Sequence, residues 1–306
     1  MGSTVKVNNI EIWYEEFGDK TNQTVLLIMG ANANCMQWDQ EFIDALIAKD
    51  FHVVRFDNRD VGKSTWFGKE PAINKILKFL PSFILKTLVN SIFGLAVDDK
   101  GKFKFSENTK VKYNLSDMAQ DAVSLMNELQ IKKAHIIGAS MGGMITQLIA
   151  LDHSDKVLSI TPIMTSPGIQ NDSLSGPTNG LLEAMKKSFV FNLKGKLEDG
   201  VVEIYRQLTG SRFPFNEADF REKLVPVMTH GNNPFAQHGA AVGASADRTN
   251  RLSEIKVPTL IIHGTEDAIL PIDHGLALAD GIEGSERLIM DLSLIHISEP
   301  TRPTLI

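Results

Sequence analysis

The stretch His135-Ile136-Ile137-Gly138-Ala139-Ser140-Met141-Gly142-Gly143-Met144 constrains this chain more than any other. An apolar run suited to a buried strand passes through Gly-x-Ser-x-Gly directly into a helical pattern, the context of a nucleophile elbow. So sharp a turn holds its serine in strained backbone geometry, and Gly138 and Gly142 leave room that side chains would block. The Ser140 hydroxyl is therefore expected to point outward at the strand tip. Met144, Ile145, Leu148 and Ile149 predict a helix from about Met141 to Leu151. Its free N–H groups and positive dipole end would sit where an anion can be held.

Strand-like and helical patterns alternate around this point. Val5 to Val7 and Ile10 to Phe17 flank Asn8-Asn9 as a hairpin, and Val25 to Met29, Phe51 to Phe56, Val157 to Ile163, Thr259 to His263 and Arg287 to Met290 read as strands. Phe42, Leu46 and Ile47 mark one helix. Met118, Ala122, Leu125, Met126 and Leu129 mark another, with Ser116 as its expected N-cap. The class is α/β, with a mainly parallel sheet and functional residues at its carboxyl edge. With 306 residues, 43% of them hydrophobic, the chain can bury one large core. A net charge of −6 with interspersed signs gives no electrostatic reason to bind nucleic acid or an anionic membrane, which favours a small-molecule partner. The single cysteine, Cys35, rules out an internal disulfide framework. The polar opening residues hold no signal-peptide core, and Lys6 stands where myristoylation wants Ser or Thr, so the expected location is cytoplasmic.

Residues 69–112 and about 165–240 interrupt the alternation and are read as lid elements. In the first, Ile73, Ile76, Leu77, Leu80, Ile84, Leu85, Leu88, Val89 and Ile92 keep helical spacing, with Pro81 splitting two short helices. Lys75, Lys78 and Lys86 break the apolar run, which argues against a membrane span of about 20 apolar residues. A helical lid over an apolar pocket, a helical pair packed on the core, and a reversible interfacial helix all fit this pattern.

Four blocks resemble the α/β-hydrolase superfamily, and within it the small serine carboxylesterases, the group that includes aclacinomycin methylesterase. They are Leu27-Ile28-Met29-Gly30-Ala31-Asn32 with Trp38 downstream, Asp57-Asn58-Arg59-Asp60-Val61-Gly62-Lys63-Ser64, the turn around Ser140, and Val257-Pro258 through Glu266-Asp267. The resemblance covers roughly residues 10–291 and implies an α/β-hydrolase domain over 1–291: a mostly parallel eight-stranded sheet, helices on both faces and a helical lid. It makes Ser140 the nucleophile and Asp267 the acid of a catalytic triad. Glu266 is the neighbouring carboxylate, and strand alternation would point it the other way. Backbone N–H groups of Ala31 and Met141 would form the oxyanion hole. Family members usually have His-Gly where this chain has Met29-Gly30, which leaves the backbone donor intact. Asn32 and Cys35 are candidate pocket residues on the same loop, with Cys35 alternatively an inert small side chain. No metal and no cofactor are implied.

The general base is the difficulty. Of eight histidines only His274 and His296 follow Asp267, and the order Ser, acid, His needs one there. His274 reads as a surface residue of the next helix. Relatives follow the strand ending at Asp291 with Gly-x-Gly-His, which would put the base at 295, but Ile295 stands there with His296 beside it, a substitute candidate for the base because its loop starts at the right strand. Residues 292–306 resemble the translation of a transposon-based sequencing-library adapter. They are read as a non-native tail replacing the family's histidine and closing helix. Such a chain would have an incomplete triad and uncovered apolar sheet surface. The expected function is hydrolysis of a small carboxylic ester or related acyl bond, such as a lactone, thioester or amide, in a substrate with an apolar portion, through an acyl-enzyme. The alternative is a catalytically weak or inactive small-molecule-binding protein on the same scaffold. No nucleic-acid partner and no stable membrane association are expected. Gly62-Lys63-Ser64 is not a phosphate-binding loop, because Asp57 falls where its first glycine belongs.

Overall fold

The computed structural model describes residues 2–105, 110–212 and 214–291. Strands β1 (Ser3–Val7) and β2 (Ile10–Phe17) form the expected hairpin. Asn8 and Asn9 take φ values of 48° and 65°, the double left-handed turn that Asn tolerates better than other non-glycine residues. The remaining strands are β3 (Thr24–Ile28), β4 (His52–Phe56), β5 (Ala134–Ala139), β6 (Val157–Ile163), β7 (Leu260–Gly264) and β8 (Glu286–Met290). They form one sheet in the order β1-β2-β4-β3-β5-β6-β7-β8. Only the β1/β2 and β2/β4 pairings are antiparallel. β3 and β4 are buried at every position, as strands covered on both faces must be.

The two-residue period of β3 divides the core. Leu26 and Ile28 face one cluster, which takes in Met118, Ala122 and Leu125 of α4 (Leu115–Glu128) and Met144, Ile145 and Leu148 of α5 (Met141–Asp152). Leu278 of α10 (Ile272–Gly281) joins the same cluster. Val25 and Leu27 face the other, with Trp38 and with Ile43 of α1 (Gln40–Ile47). On β7 and β8, Leu260 and Ile262 are half-buried and Leu288, paired in register with Ile262, is 48% exposed. The N-cap of α4 is Asn114 rather than the expected Ser116. The Asn114 side chain accepts from the N–H of Ser116 and Asp117, and Asp117 returns a bond to the Asn114 N–H. This reciprocal pair satisfies more free donors than a lone serine can.

The first insertion carries α2 (Asn74–Leu77) and α3 (Ser82–Ala96), with Pro81 capping the second. α3 is a fifteen-residue helix rather than the short one expected. The second insertion carries α6 (Asn179–Leu193), α7 (Leu197–Leu208) and α8 (Glu217–His230), and the chain returns through α9 (His238–Gly243). Leu85 and Val89 of α3 pack on Val190 and Leu193 of α6.

Buried charge fixes the end of β4 against α4. Arg59 forms a two-pronged bond to Asp121, Nε to Oδ2 at 2.6 Å and Nη2 to Oδ1 at 2.7 Å, while Asn8 donates to the same carboxylate. Both partners are nearly inaccessible, and burial holds the Asp121 carboxyl above its usual range despite the bonds from Arg59. Removing one charge of such a pair strands the other. Arg59→Met is therefore expected to lower unfolding free energy by about 3–5 kcal/mol, read from urea denaturation midpoints, and the paired Arg59→Met/Asp121→Leu chain should recover much of that loss.

Candidate active site

Ser140 sits between β5 and α5 with φ 53° and ψ −117°, a backbone conformation that a serine adopts only under constraint. Its N–H donates to Ile163 O at 2.9 Å, and its C=O accepts from the Thr165 hydroxyl at 2.6 Å. The two flanking glycines are needed for space. A β-carbon on Gly138 would lie 2.3 Å from Gly142 O, and one on Gly142 would lie 2.0 Å from Ile28 O. The serine thus occupies a turn pressed directly against the end of β3.

The loop after β3 approaches from that side. A β-carbon on Gly30 would come within 3.2 Å of Ser140 Cβ and 3.8 Å of its Oγ. Among the described residues, the N–H groups of Ala31 and Met141 donate to no acceptor, whereas the N–H of Asn32 does. Asn32 has φ 59° and gives its N–H to Nδ1 of His238 at 2.8 Å. His238 Nε2–H in turn donates to Arg59 O at 2.7 Å. Burial keeps this imidazole neutral, lowering its pKa, so Nδ1 remains an acceptor. Asn58 adds a second brace by donating to Met29 O at 2.9 Å.

Cys35 is fully buried beside Trp38 and Ile43, so it belongs to the core and does not line an open pocket. Burial first, then the Asp57 charge, pushes its thiol well above the ordinary range, where it is a poor nucleophile. Cys35, Asp57 and His230 bring sulfur, oxygen and nitrogen atoms within 4.8 Å of one another. Asp57 already accepts from Cys35 N, Lys63 N and His230 Nε2, at 3.0, 2.8 and 2.7 Å. Those donors occupy most of its lone pairs, and the trio acts as a brace between β4, the loop after β3 and α8.

Asp267 lies in the loop after β7 and is 3% exposed. Its Oδ1 accepts from the N–H of Ile269 and Leu270, both at 2.9 Å, while Oδ2 has no hydrogen-bond partner among the described residues. His263 Nε2 is 3.5 Å from Oδ2, but it donates to Leu270 O at 2.8 Å and burial keeps that ring neutral, so the two do not form an ion pair. Glu266 turns the other way, accepting from the N–H and hydroxyl of Ser211. Burial raises the Asp267 carboxyl to about 7 against the opposing pull of its two backbone donors. His274 is not the surface residue expected from sequence. It is 2% exposed, accepting from the Ser166 hydroxyl at Nδ1 and donating from Nε2 to Ser175 O. Its helix turns inward there to cover β7. His296 and the tail 292–306 lie outside the described residues.

Ser140 and Asp267 therefore stand at the carboxyl edge of one sheet, on strands separated by β6. The same edge carries the loop of Ala31 and Asn32. Residues 23–292 match the family described as alpha/beta hydrolase fold. The chain belongs to the α/β hydrolase fold family. Within that family it is 25% identical to rhodomycin D methylesterase of Streptomyces peucetius over 300 residues, covering 91% of this chain and 86% of that one. The corresponding methylesterase of Streptomyces sp. strain C5 is likewise 25% identical over 298 residues, with the same coverage. Among solved structures, the enol-lactonase of Burkholderia xenovorans LB400 superposes with a TM-score of 0.68 at 20% identity, covering 96% of this chain and 93% of its own. This α/β hydrolase fold also matches a thermophilic esterase from Thermogutta terrifontis, with a TM-score of 0.63 at 18% identity, covering 98% and 93%.

The Asp267 carboxyl binds its proton more tightly in the folded chain, at about 7, than at its ordinary 3.8. Between those values the folded state holds more protons, so this group makes stability fall as pH rises through that window. Asp267→Asn is expected to melt at the wild-type temperature near pH 4 and above it beyond about pH 7. Thermal melts across that range will show a parallel offset instead if the carboxyl titrates normally.

Proposed function

We propose that the protein is a serine hydrolase that cleaves a small carboxylic ester. The observation that carries this reading is the strained Ser140 turn, with the unpaired N–H groups of Met141 and Ala31 on the segments around it. A serine alcohol reacts only when a base removes its proton. The base this reading calls for is an imidazole on the chain after β8, either His296 or the histidine that relatives carry in Gly-x-Gly-His, with Asp267 orienting it through its other nitrogen. An imidazole N–H given to Oδ2 supplies the partner that this buried oxygen lacks among the described residues, and favours the charged carboxylate.

In the first half-reaction Ser140 Oγ bonds to the acyl carbon and its proton passes to the imidazole. The oxyanion is held by Ala31 and Met141 N–H, and the alcohol leaves with the returned proton. Water then adds to the acyl-enzyme by the same proton route and releases the acid. The chemistry uses no metal or cofactor. The insertions carrying α2–α3 and α6–α8 serve as the lid. Asn34 donates to Val227 O and Gly231 O, and Tyr205 donates to Gln37, so the second insertion is fastened to the loop beside Ser140. The methylesterase relatives favour a methyl ester, and the apolar insertion favours a substrate with an apolar portion. A cytoplasmic location is part of the same reading.

In a chain whose β8 continues into Gly-x-Gly-His and a closing helix, a fluorophosphonate probe should label Ser140 and no other residue, and Ser140→Ala should abolish labelling and lower ester turnover by about a thousandfold or more. A chain whose β8 continues into Gly-x-Gly-His and a closing helix should hydrolyse p-nitrophenyl acetate about a hundredfold faster than the chain ending in residues 292–306. Equal rates that His296→Ala abolishes would make His296 the base. Tight small-molecule binding that survives Ser140→Ala, with no labelling, would favour a binding protein instead.

A further inference from the structure

The first insertion presents an apolar face that nothing else in the described chain covers. Twelve large apolar side chains are exposed among the described residues, and eight of them fall between Ile73 and Leu95. α3 uses one side, Leu85 and Val89, to pack on α6. Its neighbouring stripe, Ile84, Leu88, Ile92 and Leu95, points outward, and Phe79 and Phe83 at its start are 80% and 70% exposed. Phe189 of α6, 43% exposed, lies on the helix that α3 packs against. Exposing side chains of this size in one continuous segment is costly unless another apolar phase takes them up.

The charge of the segment names that phase. Residues 71–97 contain Lys75, Lys78 and Lys86 and no Asp or Glu, in a chain whose net charge is −6. The whole-chain balance conceals this local segregation. A second copy of the chain docking face to face would bring six ammonium groups together with no carboxylate from either segment. An anionic lipid surface supplies both the apolar interior for the phenylalanines and the headgroup charge for the lysines, whose stems can lie along the apolar side. α3 spans about 22 Å at 1.5 Å per residue, short of a hydrocarbon core of about 30 Å. No helix among the described residues is long and apolar enough to cross a membrane. The contact is therefore in the plane of the interface.

We infer that α2 and α3 form a reversible docking surface for the anionic leaflet of a lipid bilayer. This does not depend on the role proposed for Ser140. The test is co-flotation of the full chain with vesicles of phosphatidylcholine alone, or with about three parts in ten phosphatidylglycerol, at low and high salt. The wild-type chain should float with the anionic vesicles, less so as salt is raised, and weakly with phosphatidylcholine. Phe79→Ser/Phe83→Ser/Leu95→Ser and Lys75→Glu/Lys78→Glu/Lys86→Glu should each weaken partitioning by about tenfold or more, with melting temperatures unchanged because all six side chains are exposed. Phe83→Trp should shift its fluorescence to the blue on adding anionic vesicles. Flotation no greater than without lipid, or equal flotation of the apolar triple variant, overturns the inference. So does a dimer seen by light scattering that the apolar triple variant dissolves while vesicle binding is absent, which would assign the face to a second copy.

Discussion

The carboxylate of Asp60 is the interaction on which the arrangement of this molecule depends. It is fully buried and accepts five hydrogen bonds: from the N–H of Phe67 and Gly68, the Tyr113 hydroxyl, the Asn233 side chain and the Gln237 N–H. Burial alone would raise its pKa, yet these donors outweigh it and hold the group below its usual range. Bonds to a charged acceptor are worth about 1.5–3 kcal/mol each, so five of them exceed the several kcal/mol of effective desolvation for one ion. Phe67 and Gly68 precede the first insertion and Tyr113 follows it, while Asn233 and Gln237 close the second. One side chain therefore ties both excursions to the end of β4. The tie continues to the site, because His238 follows Gln237 and its imidazole holds Asn32 N–H, one residue from Ala31.

Much of the sheet was legible because parallel strands leave a strong trace. The bounds of β2 and β6 agree with the apolar runs residue for residue, and the other strands within one or two positions. The Ser140 turn was legible for a related reason: its glycines are forced by contacts of 2.0–2.3 Å with main-chain oxygens, which no side chain can satisfy. Resemblance and alternation favour Asp267 over Glu266 as the acid; in the folded chain Asp267 is buried while Glu266 faces Ser211. What escaped was decided by tertiary partners. His274 reads as a surface residue because a helix pattern does not reveal that Ser166 and Ser175, about a hundred positions earlier in the chain, bond both nitrogens of its ring. The block Asp57 to Ser64 was recognised by resemblance, but the donors gathered by Asp57 and Asp60 lie up to 177 positions away. His230 and His238 carried no local signal at all.

The two faces of α3 illustrate how composition averages away structure. Helical spacing marked the whole segment as apolar, and three lysines within it looked like an interruption. In the folded chain the apolar positions divide between a side that anchors on α6 and a side that faces outward, with Thr87 and Ser91 along the edge. Net charge hid the same division, since acidic residues elsewhere offset a basic segment that has no acid of its own.

The order of the strands also bears on how the protein is made. β3 and β5 pair as neighbours although more than a hundred residues separate them, and β7 joins only after the second insertion. Sheet closure therefore waits for contacts that are distant along the chain, which slows folding and leaves strand edges open meanwhile. Synthesis delivers Ser140 well before Asp267. A nascent chain still emerging from the ribosome would hold the strained serine turn before Asp267 reaches the same sheet edge, so the carboxyl edge of the sheet is the last part of the core to be assembled.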